Sequence, residues 1–225
     1  MPAIPLPVSA VRALVCVPFL TFLLFAPAVH AEMAATAADG GQLAKRARYD
    51  GHVYLLRGFA NVFSRGLDDL GRKMRARGIQ AQVLNHSRWP EIATIIAADR
   101  RKPVVLIGHS LGGNAVVLIA ERLKRAGVPV RYLVTFDATS PRPVPSNVGK
   151  ATNYYYGRGS LGESLRPGPG FRGRLKNIDV SKGAKVSHFN IEKQPSLHRQ
   201  VIINTLRFVR RRTADTAMTQ DAPRG

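Results

Sequence analysis

The chain has 225 residues, 45% of them hydrophobic and 21% charged, with a single cysteine. That length fits one domain with extensions, the apolar content excludes an unfolded polar chain, and one cysteine excludes an internal disulfide framework or a cysteine-cluster metal site. The formal net charge of +20 fits either anionic surfaces or polymers as partners or simply a basic, soluble surface, and carries no information about fold.

In residues 1–31 Arg12 is the only formal side-chain charge. An apolar stretch over 13–25 follows, and then Ala26-Pro27-Ala28-Val29-His30-Ala31. This is the layout of a secretory signal peptide cut after Ala31, which makes Glu32 the new N-terminus. The apolar run is shorter than the roughly 20 residues a bilayer span needs and contains Pro18. Cleavage removes Cys16. The expectation is an exported protein, periplasmic or secreted. Such a protein rarely meets nucleic acid, so an anionic membrane surface or polysaccharide is the expected anionic partner. Residues 32–48, Ala-rich with Gly40-Gly41 and Lys45, Arg46 and Arg48, read as a flexible lead-in. Residues 213–225 lack periodic apolar positions and read as a disordered tail. The folded domain is expected over 49–212.

Within it, strand and helix patterns alternate. Residues 52–56 form a short apolar run of strand type. Leu67, Leu70 and Met74 fall at helical spacing, and Gly78 ends that helix. Residues 81–84 read as a strand, and Ile92, Ile95, Ile96 and Ala97 predict a helix entered through Pro90-Glu91. Residues 104–107 (Val-Val-Leu-Ile) are continuously apolar, as expected of a parallel strand covered on both faces. A helix follows over 115–125, ended by Gly127, then strands over 132–136, 152–156 and 177–180, and a closing helix over 200–211. This order predicts an α/β domain, a mainly parallel sheet with helices on both faces, whose ligand site lies beyond the carboxyl ends of the strands.

Gly108-His109-Ser110-Leu111-Gly112-Gly113 sits between one such strand and one such helix. In that context Ser110 occupies a sharp strand-to-helix turn that projects its hydroxyl from the sheet. The glycines make room for the close backbones, and the Leu111 amide faces a developing oxyanion. A phosphate-binding turn is the alternative, but the P-loop lysine is missing. His109 diverges from Ser110 on such a turn and reads as packing around it. The stretch Gly-His-Ser-Leu-Gly-Gly resembles the nucleophile elbow of the α/β-hydrolase superfamily, especially its lipases, esterases and thioesterases. The likeness covers about residues 50–210 as an order of elements.

Serine needs a base, and in this superfamily the acid and then the histidine follow the serine. Two histidines remain downstream. His188 lies in a loop after the last strand, where the superfamily keeps its catalytic histidine; His198, at the start of the closing helix, reads as a surface or capping residue. Asp137 follows the strand 132–136 directly. Its segment Val-Thr-Phe-Asp-Ala-Thr-Ser-Pro resembles that of pancreatic-lipase-type enzymes, whose acid occupies this less common place. Glu163 and Asp179 stay open as alternative acids. The second oxyanion donor is expected in Arg57-Gly58-Phe59-Ala60-Asn61, at the amide of Phe59, with Ser64 as a helix cap. His86 and Trp89, after the strand 81–84, are candidates for lining the substrate pocket. The Gly-rich stretch 157–174, with Arg158, Arg166, Arg172 and Arg174, reads as a flap or an ordinary surface loop. The sequence has no H-E-x-x-H, cysteine cluster or P-loop, so neither a metal nor a cofactor is expected. The expected activity is hydrolysis of a carboxylic ester or thioester through an acyl-enzyme. The alternatives are an acyltransferase with the same triad and a non-catalytic protein binding anionic envelope lipid or polysaccharide. Oligomeric state is not legible.

Overall fold

The computed structural model describes residues 49–59, 64–157, 161–182 and 186–211. The segments expected to be a signal peptide (1–31), a lead-in (32–48) and a tail (213–225) lie outside these residues.

The described chain runs β1 (Tyr49–Arg57), α1 (Arg65–Ala76), β2 (Ile79–Asn85), a 3-10 turn (His86–Arg88), α2 (Trp89–Ala98), β3 (Val104–His109), α3 (Leu111–Arg125), β4 (Tyr132–Phe136), β5 (Lys150–Tyr155), β6 (Arg174–Asp179), a second 3-10 turn (Ile191–Lys193), α4 (Pro195–Leu206) and β7 (Arg210–Arg211). The sheet order is β2-β1-β3-β4-β5-β6, and every neighbouring pair along it is parallel. Only β7 is antiparallel, pairing Tyr49 with Arg211 at the start of β1.

The core follows from strand alternation. Tyr54, Leu56, Val104, Leu106 and Leu133 face α2 and α3 in one apolar cluster. Their neighbours Val53, Leu55, Val105, Ile107 and Val134 face α1 and α4 in another. Because both faces are covered, β3 is buried along its whole length. The α1 positions at helical spacing, Leu67, Leu70 and Met74, are all fully buried. Gly78 and Gly127 take φ of 80° and 70° where α1 and α3 end, a backbone region that glycine enters without a Cβ clash.

The closing helix differs from its expected bounds of 200–211. It starts at Pro195 and stops at Leu206. Proline suits the first helical turn, where its missing N–H has no intrahelical partner to lose, so the Pro195-Ser196 pair opens the helix rather than delaying it. The chain leaves the helix at Arg207 to bring β7 alongside β1. His198 is buried inside this helix rather than exposed or capping. Its Nε2 donates to the Glu192 carbonyl at 2.6 Å, while Lys73 Nζ lies 3.1 Å from Nδ1. Strands β5 and β6 begin two and three residues before their predicted starts.

Candidate active site

Strand register decides what meets at the carboxyl edge. Leu56 of β1 pairs with Gly108 of β3, and His109 pairs with Phe136 of β4. The next residues, Ser110 and Asp137, therefore emerge side by side. Their backbones are anchored in the same way. Ser110 N–H donates to the Phe136 carbonyl at 3.0 Å, and Asp137 N–H to the Tyr154 carbonyl at 2.8 Å.

Ser110 has φ 56° and ψ −123° and directly precedes α3. The turn is tight because backbones cross it. A Cβ at Gly108 would overlap the Gly112 carbonyl, and one at Gly112 would overlap the Leu56 carbonyl. A backbone strained in this way costs on the order of 1–3 kcal/mol and persists only where the surroundings fix it. Leu111 is the first residue of α3, so its N–H has no acceptor within the helix and lies at the positive end of the helix dipole.

His188 comes from the loop after β6. Its Nδ1 lies 2.8 Å from Asp137 Oδ2 and its Nε2 lies 3.1 Å from Ser110 Oγ. An ionised carboxylate accepts only, so Nδ1 carries the proton and Nε2 is left as the acceptor for the serine hydroxyl. Asp137 is fully buried. Its Oδ1 accepts the Tyr156 N–H at 2.9 Å, and a Cβ at Gly162 would overlap that same oxygen. The backbone at Tyr156 and at Gly162 thus stands against the carboxylate, which meets the rule that a buried charge needs bonded partners. Such a line can take a proton from Ser110 and hold the resulting imidazolium against a fixed anion.

The two alternative acids stand elsewhere. The exposed Glu163 is bound through its backbone to Ala138 and Asn153. Asp179 caps a turn, accepting the N–H groups of Gly157 and Ser181. Gly58 packs against the elbow, where a Cβ would come within 2.9 Å of the Ser110 Cβ. This brings the Phe59 peptide next to Ser110, with the Phe59 ring exposed; residues 60–63 lie outside the described set. Among the described residues, the His188 side chain bonds to Ser110 and to Asp137 rather than to His86 or Trp89. Trp89 packs against the cluster of α2 and α3. His86 is half-buried in the 3-10 turn, with its Nδ1 unpartnered among the described residues. In the described parts of 157–174, Gly168 N–H donates to the Val144 carbonyl at 2.9 Å, and Arg174 is the first residue of β6.

Three residues next to the site are not legible in the sequence as part of it. Ser64 precedes α1 but makes no capping bond. Its hydroxyl instead accepts the Gly58 N–H at 2.8 Å and lies 2.9 Å from His109 Nδ1. His109 Nε2 lies 2.8 Å from the His188 carbonyl, and the two rings stand 5.0 Å apart. Burial pushes the His109 imidazole down to about 4, with the His188 carbonyl pulling the other way. Glu192 is fully buried beneath this pair, with Oε2 at 3.9 Å from His109 Nε2 and neither oxygen hydrogen-bonded among the described residues. Burial is the main cause that pushes its carboxyl up to about 7, with the Lys193 ammonium among the groups pulling the other way. No sequence signal marks these residues: serine before a helix reads as a cap, and a histidine inside a strand reads as packing.

A family model described as Thioesterase domain matches residues 90–153. The matched stretch runs from α2 into β5 and contains Ser110, Leu111 and Asp137, whereas His188 lies beyond it. No curated protein matches the chain.

Proposed function

The chain is a member of the α/β-hydrolase superfamily, and from that premise we propose that it is an exported serine hydrolase cleaving a carboxylic ester or thioester through an acyl-enzyme. The family match supports an ester- or thioester-hydrolase activity. The observation that carries the finer reading is the hydrogen-bonded line Ser110–His188–Asp137 at the carboxyl edge of the sheet.

In this reading Ser110 Oγ attacks the substrate carbonyl carbon while His188 Nε2 takes the hydroxyl proton. The tetrahedral oxyanion is met by the N–H groups of Leu111 and Phe59. Each such donor contributes on the order of 100- to 1000-fold in rate elsewhere. The carbonyl re-forms, the bond to the leaving oxygen or sulfur breaks, and His188 returns its proton to that atom. Water then attacks the acyl-Ser110 ester with the same histidine as base, which releases the acid and restores the hydroxyl. Asp137 keeps His188 in the required tautomer throughout.

The test is a fluorophosphonate probe applied to the folded protein. Wild type is expected to be labelled at one site and Ser110→Ala not at all. An unlabelled wild type defeats the hydrolase reading, and labelling that persists in Ser110→Ala defeats the assignment of the nucleophile. Export is tested separately by sequencing the N-terminus of the mature protein, expected at Glu32.

One observation favours an anionic partner alongside catalysis. Lys150 and Arg174 are register partners at the amino ends of β5 and β6. With Lys176 and Arg207 they crowd together closely enough that burial and three neighbouring cations all hold the Lys150 ammonium below its usual range. This cluster lies at the strand end opposite Ser110, where an anionic membrane or polysaccharide would leave the active site open. Binding to anionic vesicles that weakens steeply with salt supports it, and salt-independent or absent binding removes it.

A further inference from the structure

Hydrogen-bond direction fixes a second polar chain beneath the triad. Ser64 Oγ accepts the Gly58 N–H. A carbonyl only accepts, so His109 Nε2, which faces the carbonyl of His188 at 2.8 Å, carries the ring proton. Nδ1 of the neutral imidazole is then the acceptor, and the one hydroxyl proton of Ser64 is donated to it. The chain reads Gly58 N–H to Ser64, Ser64 O–H to His109, and His109 Nε2–H to the carbonyl of His188. Ser64 is fully buried and His109 nearly so, which shields every bond in it from water. Glu192 Oε2, at 3.9 Å from Nε2, lies beyond hydrogen-bond reach.

Gly58 begins the loop whose Phe59 amide faces the oxyanion, and His188 is the base. We propose that Ser64 and His109 are positioning residues that tie the oxyanion loop and the base loop into one fixed arrangement around Ser110. This rests on the hydrolase reading above. Neither residue touches the substrate. His109, one residue before the nucleophile, is the strut between the two loops. Misplacement of reacting groups by about 1 Å costs on the order of 100-fold, so the relay acts on turnover rather than on substrate binding.

The two ends of the strut can be cut separately. His109→Asn keeps an acceptor near the Nδ1 position and loses the Nε2 donor, which releases the His188 loop. His109→Gln keeps a donor near Nε2 and loses the acceptor, which releases Ser64 and Gly58. His109→Leu releases both. With p-nitrophenyl acetate as substrate, Asn and Gln are each expected to lower kcat about tenfold and Leu about 100-fold, with KM within about twofold of wild type. Fluorophosphonate labelling rates should fall in the same order. Ring-15N NMR of wild type, which needs no variant to fold, should report His109 as the Nε2–H tautomer. The opposite tautomer overturns the proposal. So does a wild-type labelling rate in the folded Asn and Gln variants, or a rise in KM with kcat unchanged. A wild-type protein that takes up no probe is a different failure, that of the hydrolase reading itself.

Discussion

Ser110 and Asp137 are the two non-glycine residues with positive φ among the described residues, at 56° and 49°, and they stand side by side at the ends of β3 and β4. Their turns are held in different ways. Around Ser110 the room is made locally: Gly108, Gly112 and Gly113 each sit where a Cβ would collide with a neighbouring residue. Around Asp137 no glycine is adjacent. Aspartate enters the left-handed region more readily than most residues, and its position is set by remote groups, namely the Tyr154 carbonyl, the Tyr156 N–H and the Gly162 backbone. One strained turn is written in a short run of consecutive letters, while the other is assembled from separate segments.

The sharpest way to break this comparison is to separate the charge of Asp137 from its backbone. Asn tolerates the same φ, so Asp137→Asn should fold with a melting temperature near wild type. It leaves His188 without an anion facing Nδ1 and should lower kcat by about 1000- to 10,000-fold. A variant that keeps more than about a tenth of wild-type turnover, far above the loss expected of a missing acid, would remove Asp137 from that role.

The same contrast separates what the sequence makes legible from what it hides. Strands β3 and β4 and helices α1 and α3 follow from apolar periodicity and glycine stops, because each buries a face decided by its own sequence. Ser110 is legible through its glycines, and His188 and Asp137 through their order after strands. The roles of Ser64, His109 and Glu192 are not. The Ser64–His109 and His109–His188 bonds run between residues 45 and 79 apart in sequence, and nothing local distinguishes a buried, bonded histidine from a packing one. The early start of α4 is hidden for a related reason, since Pro195 carries opposite meanings in a loop and in a first helical turn.

The next largest effect is expected at Gly162. A methyl there overlaps Asp137 Oδ1, so Gly162→Ala must push either the loop or the carboxylate aside. A loss of kcat on the order of 10- to 100-fold follows from misalignment of His188. Gly157→Ala is the matched control, since its methyl meets the carboxylate of exposed Asp179, which can swing into solvent, and turnover should stay within about twofold because no reacting group moves. Equal losses in the two variants would mean that loop distortion, not the Asp137 contact, is being measured.

Glu192 gives a smaller and pH-dependent effect. Its folded-state pKa is raised to about 7 from the usual 4.5, so its protonated form contributes stability that is fully present below about pH 4.5 and lost as pH rises through about 7. The difference corresponds to roughly 3–4 kcal/mol. His109, lowered to about 4, works in the opposite sense: its share is present above about 6.5 and lost as pH falls through 4. Glu192→Gln isolates the first contribution. Relative to wild type its unfolding free energy, measured by urea titration, should rise between about pH 5 and pH 8. A constant difference across that range would mean that the carboxyl is already charged in the folded protein.

The smallest effect tests whether positive φ alone accounts for anything at the site. Gly127 holds φ 70°, and a Cβ added there would meet no atom within 4 Å, so Gly127→Ala carries backbone strain and nothing else. It should cost about 1 kcal/mol, a fall of roughly 2–4 °C in Tm for a domain of this size, with the fluorophosphonate labelling rate unchanged. Gly127→Asn should recover part of that loss because asparagine accepts the left-handed region better. A strained backbone at the far end of α3 would then be costly yet silent in catalysis. What separates Ser110 and Asp137 from it is the partner each strained turn delivers: a hydroxyl brought to His188 Nε2 and a carboxylate brought to Nδ1.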